Sequence, residues 1–217
     1  MLDLFISKEA VDFSYSVMGN VTGKKILEIG CGSGMQTVQL AKMGAIVTAI
    51  DVSEESVNAA KRTCRENGVT ADIVIMDAEN MSIKDNTFDF VYINFVLMHT
   101  NKDKVVSESL RVLKKWGKLV LKEVLKHWIF SFPYRTFSPY KGSKPEYVTL
   151  DYVKHIGAKH KEFYLFSTAL LPLFFMFKHK KMIYKMFNLI AAIDGTILKA
   201  LPFIRPFSWV TVGAIQK

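Results

Sequence analysis

Along the first 125 residues the apolar positions repeat in two different periods, and the two alternate. The runs "KKILEIG", "AIVTAID", "ADIVIMD", "FDFVYIN" and "KLVLKEV" are short, apolar and rich in β-branched residues, which predicts five strands. Between them lie stretches with helical spacing: "MQTVQLAKMG", "SEESVNAAKRTCRENG" and "KDKVVSESLRVLKKWG", with "KEAVDFSYSVM" as an opening helix. Ser53 is a good N-cap, with acids in the turn that follows it, and Gly44 and Gly68 stand where two of these helices stop. Strands separated by helices pair in parallel through right-handed crossovers. The expected fold is therefore α/β, an open doubly wound sheet.

After Val124 the pattern changes. "KHWIFSFPYRTFSPYKGSKP" is aromatic and proline-containing, and reads as an irregular excursion. "KEFYLFS" predicts a sixth strand near 161–167, and "SWVTVGAIQ" a last strand within 208–217. A mostly parallel, seven-stranded sheet results, with a helical lid or insertion before its last strand. The expected organisation is one domain over 1–217: a cofactor-binding core in 1–125, a divergent substrate and lid region in 126–207, and the closing strand.

The stretch "ILEIGCGSGMQT", residues 26–37, sets three glycines between the first strand and the next helix. Such a turn lets a ligand approach bare backbone beside a helix N-terminus. A dinucleotide site spaces its glycines G-x-G-x-x-G. Here the order is Gly30, Gly32, Gly34, so Met35 occupies the third dinucleotide position. Glu28 precedes the first glycine by two residues; a carboxylate there repels a pyrophosphate and suits a cationic ligand, one bearing an ammonium and a sulfonium. Asp51 ends the second strand, placed to accept ribose hydroxyls, or else to neighbour the next helix's N-cap. Asp77 ends the third strand, followed by Ala78, where an adenine amino group and ring would lie; the alternative for Asp77 is a surface turn. Together they line the carboxyl edge of a parallel sheet, where such folds bind ligands.

These residues resemble a class I S-adenosylmethionine-dependent methyltransferase of the small-molecule type, over roughly residues 5–125. The similarity runs through "ILEIGCGSG", "AIDVSEESVNAAKR", "DAENM", "FDFVYINFVLMHT" and "LRVLKKWGKLVL". Lys115 and Trp116 stand where the family's last segment has proline and glycine. The resemblance implies that Glu28, Gly30, Cys31, Gly32 and Gly34 hold the methionine part of S-adenosylmethionine, which leaves as S-adenosylhomocysteine. It assigns Asp51 and Val52 to the ribose, Asp77 and Ala78 to the adenine, and Asn94 and Phe95 to the neighbourhood of the methyl group. Tyr15 is a wall of the same pocket. His99, on the rim after the fourth strand, is a candidate base or substrate contact; His127, His155, His160 and His179 are given no role.

Composition narrows the acceptor only a little. Half the residues are apolar and 23% are charged, which suits a folded domain. The net charge is +9, and it is uneven: residues 1–100 carry 8 Lys/Arg against 13 Asp/Glu, so the basic excess lies in the second half. A basic half suggests an anionic partner or a solvated surface, and both readings stay open. Cys31 and Cys64 form no disulfide framework, no signal peptide is visible, and no Cys/His spacing suggests a metal. A cytoplasmic protein is expected, with membrane association open. Asn94-Phe95-Val96 lacks the N-P-P-Y-like motif of amino-directed nucleic-acid enzymes. "FYLFSTALLPLFFMF" is too short to span a bilayer. "KMIYKMFNLIAAIDGTILKALPFI" reads as a lid helix or as an interfacial helix. The expected activity is methyl transfer to a small acceptor, hydrophobic or lipid-like. The alternatives are a membrane-peripheral or regulatory cofactor-binding protein without turnover, and an RNA methyltransferase; nucleic acid is the weaker partner, and oligomeric state is not addressed.

Overall fold

The computed structural model describes residues 8–126, 146–160, 163–168, 193, 196–201, 203, 208 and 210–217. The first half follows the alternation of periods. In chain order it runs α1 (Lys8–Met18), β1 (Lys25–Ile29), α2 (Met35–Lys42), β2 (Ile46–Asp51), α3 (Glu54–Glu66), β3 (Asp72–Ile75) and β4 (Phe88–Asn94). A 3-10 turn (Leu97–His99), α4 (Lys102–Val112), β5 (Leu113–Val124), α5 (Leu150–Ala158), β6 (Phe163–Thr168) and β7 (Val210–Gln216) complete it. The strands form one seven-stranded sheet in the order β3-β2-β1-β4-β5-β7-β6. Strands β1 to β5 pair in parallel, and β7 runs antiparallel between β5 and β6.

Both faces of the sheet are covered, which is why its central strands are mostly apolar. One face sets Ile26, Tyr92, Val120 and Val212 against α1, α2 and α3; the other sets Leu27, Val91, Leu119 and Leu121 against α4 and α5. Chain order reverses across the sheet between β1 and β4, and the carboxyl ends of β1, β2 and β4 meet there. Gly34 fixes the closest helix contact. Its φ is +82°, and a β-carbon on it would lie 2.6 Å from the Ala60 Cα of α3. Ser53 caps α3 as expected, its side chain accepting from the Ser56 amide.

Two expectations need correction. The helix expected to run to Gly117 ends at Val112, because Leu113 turns extended and pairs with Phe88 as the start of β5. Helix α5 was not foreseen: it falls in a stretch read only as part of the lid region, and Thr149 caps it by accepting from the Tyr152 amide. The aromatic excursion and most of the proposed lid or interfacial helix lie outside the described residues, as do His127 and His179. None of the described helices is long and apolar enough to cross a membrane.

The turn into β5 explains the missing family glycine. Trp116 has φ 68° and is 52% exposed, so a tryptophan occupies a left-handed conformation suited to glycine. The Lys115 ammonium 5.4 Å from its ring centroid offsets part of that strain. Trp116→Gly is expected to stabilise the fold by roughly 0.5–1 kcal/mol, read as a thermal midpoint higher by about 1–4 °C. A lower midpoint would show that the indole contributes more than its backbone costs.

Candidate functional site

The site grows from the end of β1. Glu28 is completely buried, and the Thr37 hydroxyl, one turn into α2, donates to its Oε2 at 2.6 Å. The glycine loop then bends across the end of β2: the Gly30 and Cys31 amides donate to the Ile50 carbonyl at 2.8 and 3.1 Å. Gly32 has φ 48°, and a β-carbon there would meet nothing within 4 Å. That is open space directly over backbone in the loop that follows the buried Glu28.

Asp51 stands beside the α3 N-cap, one of the two readings open for it in sequence. Its Oδ1 accepts from the Ser53 amide at 3.0 Å, next to the α3 N-cap, and its Oδ2 accepts from the Gly32 amide at 3.1 Å. It thereby ties the glycine loop to β2. Each carboxylate oxygen retains a second lone pair, so this tie leaves capacity for two hydroxyl donors. Val52 beside it is 70% exposed, an apolar side chain held out at the sheet edge. Asp77 is exposed and closes an Asx turn by accepting from the Glu79 amide at 2.8 Å, so the surface-turn reading holds for one of its oxygens. Ala78 is buried behind it.

On the other side of the glycine loop, Asn94 and Phe95 end β4. Phe95 has φ 58°, and its amide donates to the Lys122 carbonyl at 2.9 Å. The Asn94 Oδ1 is buried and has no hydrogen-bond partner among the described residues. Val96 lies against the loop: a β-carbon on Gly30 would come within 2.3 Å of its Cγ2. His99 ends the 3-10 turn and is exposed; nothing described brings it to the loop. Tyr15 on α1 donates to the Gln36 side chain on α2, and both line an open groove of about 400 Å³ with Asp12 and Met35. Burial, then the charges of Glu28 and Asp12, raise the Tyr15 hydroxyl's pKa, so it remains a neutral donor.

Cys31 sits inside the loop as a neutral thiol. Burial, followed by the nearby Glu28 and Asp51 carboxylates, pushes it up to about 12. A thiol so placed is not a nucleophile. Sequence reasoning missed Thr37, Gln36, Lys122 and Glu123. Thr37 and Gln36 stand in the glycine stretch itself, but no motif announces their contacts. The adjacent Lys122 and Glu123, both fully buried, were visible as two charges following the apolar run Leu119–Leu121.

Residues 27–121 match the family model described as a methyltransferase domain. A demethylmenaquinone methyltransferase of Renibacterium salmoninarum is 34% identical over 132 residues, covering 60% of this chain and 51% of its own length. A ubiquinone biosynthesis O-methyltransferase of Paraburkholderia xenovorans is 32% identical over 114 residues, covering 52% of this chain and 49% of its own. The chain thus spans about half the length of these curated relatives. Among solved structures, a SAM-dependent methyltransferase from Methanosarcina mazei superposes with a TM-score of 0.61 at 20% identity, covering 94% of this chain and 97% of that one; it shows the same fold. The matched segment, residues 27–121, is similar to methyltransferase domains, and the fold is that of S-adenosylmethionine-dependent methyltransferases.

Proposed function

We propose that the chain transfers a methyl group from S-adenosylmethionine to a small hydrophobic acceptor, quinone precursors being the first to try. A buried Glu28 carboxylate at the end of β1, followed by open backbone at Gly32 in the same loop, is the observation that supports this most. A carboxylate at this place attracts a cationic group and repels an anionic one, so an ammonium suits it where a pyrophosphate would not. The donor set therefore fits the cofactor: Glu28 and the glycine amides for its methionine part, Asp51 and Val52 for the ribose, and Asp77 with Ala78 for the adenine.

When bound, the cofactor supplies a methyl group already activated by its sulfonium. Residues of this chain then have to align and shield. Asn94 and Phe95 would stand near the methyl to be transferred, and Tyr15 would wall the pocket from α1. Holding the acceptor in line and excluding water supplies much of the acceleration. An acceptor that is protonated needs a base, and His99, exposed at the end of the 3-10 turn, is the candidate. The acceptor class rests on the two quinone-biosynthesis relatives and on the apolar, basic second half.

The test is isothermal calorimetry of the folded chain with S-adenosylmethionine, S-adenosylhomocysteine and NAD, followed by labelled methyl transfer to demethylmenaquinol. Binding of both sulfur nucleosides without NAD binding is expected. Tight NAD binding in their place would overturn the reading of the glycine loop. Transfer only to a water-soluble acceptor would overturn the hydrophobic one.

A further inference from the structure

Strand β5 reaches the carboxyl edge with an unusual pair, Lys122 and Glu123, adjacent, charged and wholly buried. Neighbouring side chains on a strand point to opposite faces, so the two serve different surroundings. Lys122 lies on the face of α1, its ammonium 5.3 Å from the Phe95 ring centroid and 5.9 Å from that of Tyr92. Glu123 faces the other way, toward the turn that follows β4.

There its Oε1 accepts from two successive amides, Val96 and Leu97, each at 3.0 Å. Its Oε2 is buried, with no hydrogen-bond partner among the described residues. The two amides open the 3-10 turn, and the Val96 carbonyl accepts from the His99 amide at 2.9 Å. One residue earlier stands Phe95 at φ 58°. A bulky residue is strained in that conformation, and such strain persists only where the surroundings over-determine it. Strand β5 does so twice, through the Lys122 carbonyl that takes the Phe95 amide and through the Glu123 carboxyl one residue on. The clamped turn abuts the glycine loop, because Val96 fills the space over Gly30.

We propose that Glu123 is a positioning residue: its carboxyl grips the Val96 and Leu97 amides, holds Phe95 in its strained conformation, and so sets the wall of the methyl-transfer pocket. The effect on ligand binding rests on the methyltransferase reading above; the grip itself does not. Burial raises the Glu123 carboxyl to about 8, against the two amides and the Lys122 charge, which lower it. Near neutral pH it therefore carries a proton, and the remaining carbonyl oxygen still accepts. Glutamine is its close mimic.

The experiment compares wild type, Glu123→Gln, Glu123→Asp and Glu123→Leu by amide hydrogen exchange in NMR, and by calorimetry with S-adenosylmethionine and S-adenosylhomocysteine. Glu123→Gln is expected to keep Val96 and Leu97 protected and both affinities within about threefold. Glu123→Leu leaves a buried and a part-buried amide unpaired, so their exchange should quicken by roughly 10–100-fold while amides of β1 and β4 stay protected. Affinity for the methylated nucleoside should fall by about tenfold more than for the demethylated one, because the turn faces the methyl side. Glu123→Asp withdraws the carboxyl by one methylene and should free the same two amides, which keeps the test decisive should the leucine variant not fold. Unchanged protection in Glu123→Asp, or losses in Glu123→Gln as large as in Glu123→Leu, would overturn the proposal. Wild type that binds neither nucleoside would defeat the methyltransferase reading instead, and the exchange data would still decide the grip.

Discussion

Gly34→Ala should cost the fold about 2–4 kcal/mol, a large part of the total stability of a domain this size. Two effects add. The left-handed φ of +82° is strained for any residue with a β-carbon, by about 1–2 kcal/mol. The new methyl would also meet the Ala60 Cα at 2.6 Å, and Ala60 belongs to the backbone of α3, which cannot rotate aside. Helices α2 and α3 must separate to admit it, and overpacking of that kind costs about 1–3 kcal/mol. A thermal midpoint lower by roughly 5–15 °C is the expected readout. Gly32→Ala is the control, since a β-carbon there meets nothing within 4 Å. Its stability should change by only about 1 kcal/mol, from backbone strain alone. If the two variants melt alike, the contact between α2 and α3 is not what requires glycine at position 34.

Glu28→Gln is expected to weaken S-adenosylmethionine binding by about 10–100-fold, the range for losing one charged partner of a buried hydrogen bond. The amide side chain keeps the shape, and its carbonyl still accepts from the Thr37 hydroxyl, so the pocket wall is preserved. Removing the charge of a buried carboxylate also relieves its desolvation. The melting midpoint should therefore hold or rise while affinity falls, and that opposition separates a binding role from a folding one. Calorimetry and melting on the same preparation check it. Equal affinity in both proteins would mean that the carboxylate serves α2 through Thr37 and not a ligand.

The same residues show where reading the chain succeeds. Glu28 and Asp51 were legible as strand-end acids because strand ends are local, where an apolar run stops; Asp77, expected to end the third strand, instead lies two residues past Ile75 in a turn. Glycine placement was legible because left-handed backbone and close approach demand it. Partners were not. That Thr37 donates to Glu28, or that Asp51 ties down the Gly32 amide 19 residues before it, follows from how the loop folds over β2. Helix α5 was hidden by its position after a proline-containing, aromatic stretch whose composition signals no element, although its cap at Thr149 is ordinary.

The chain's own periodicity determined that strands and helices alternate, that the strands are buried on both faces, and which acids reach the carboxyl edge. These are properties of neighbours in sequence, governed by side-chain spacing and local backbone preference. The tertiary structure alone decided the strand order, the left-handed turns at Phe95 and Trp116, and the burial of Glu123 beneath the Val96 and Leu97 amides. Those depend on pairing between β4 and β5, across a helix and 26 or 27 residues apart for the Glu123 contacts. No local pattern encodes which carboxyl will meet which amide at that range; only the register of the sheet does.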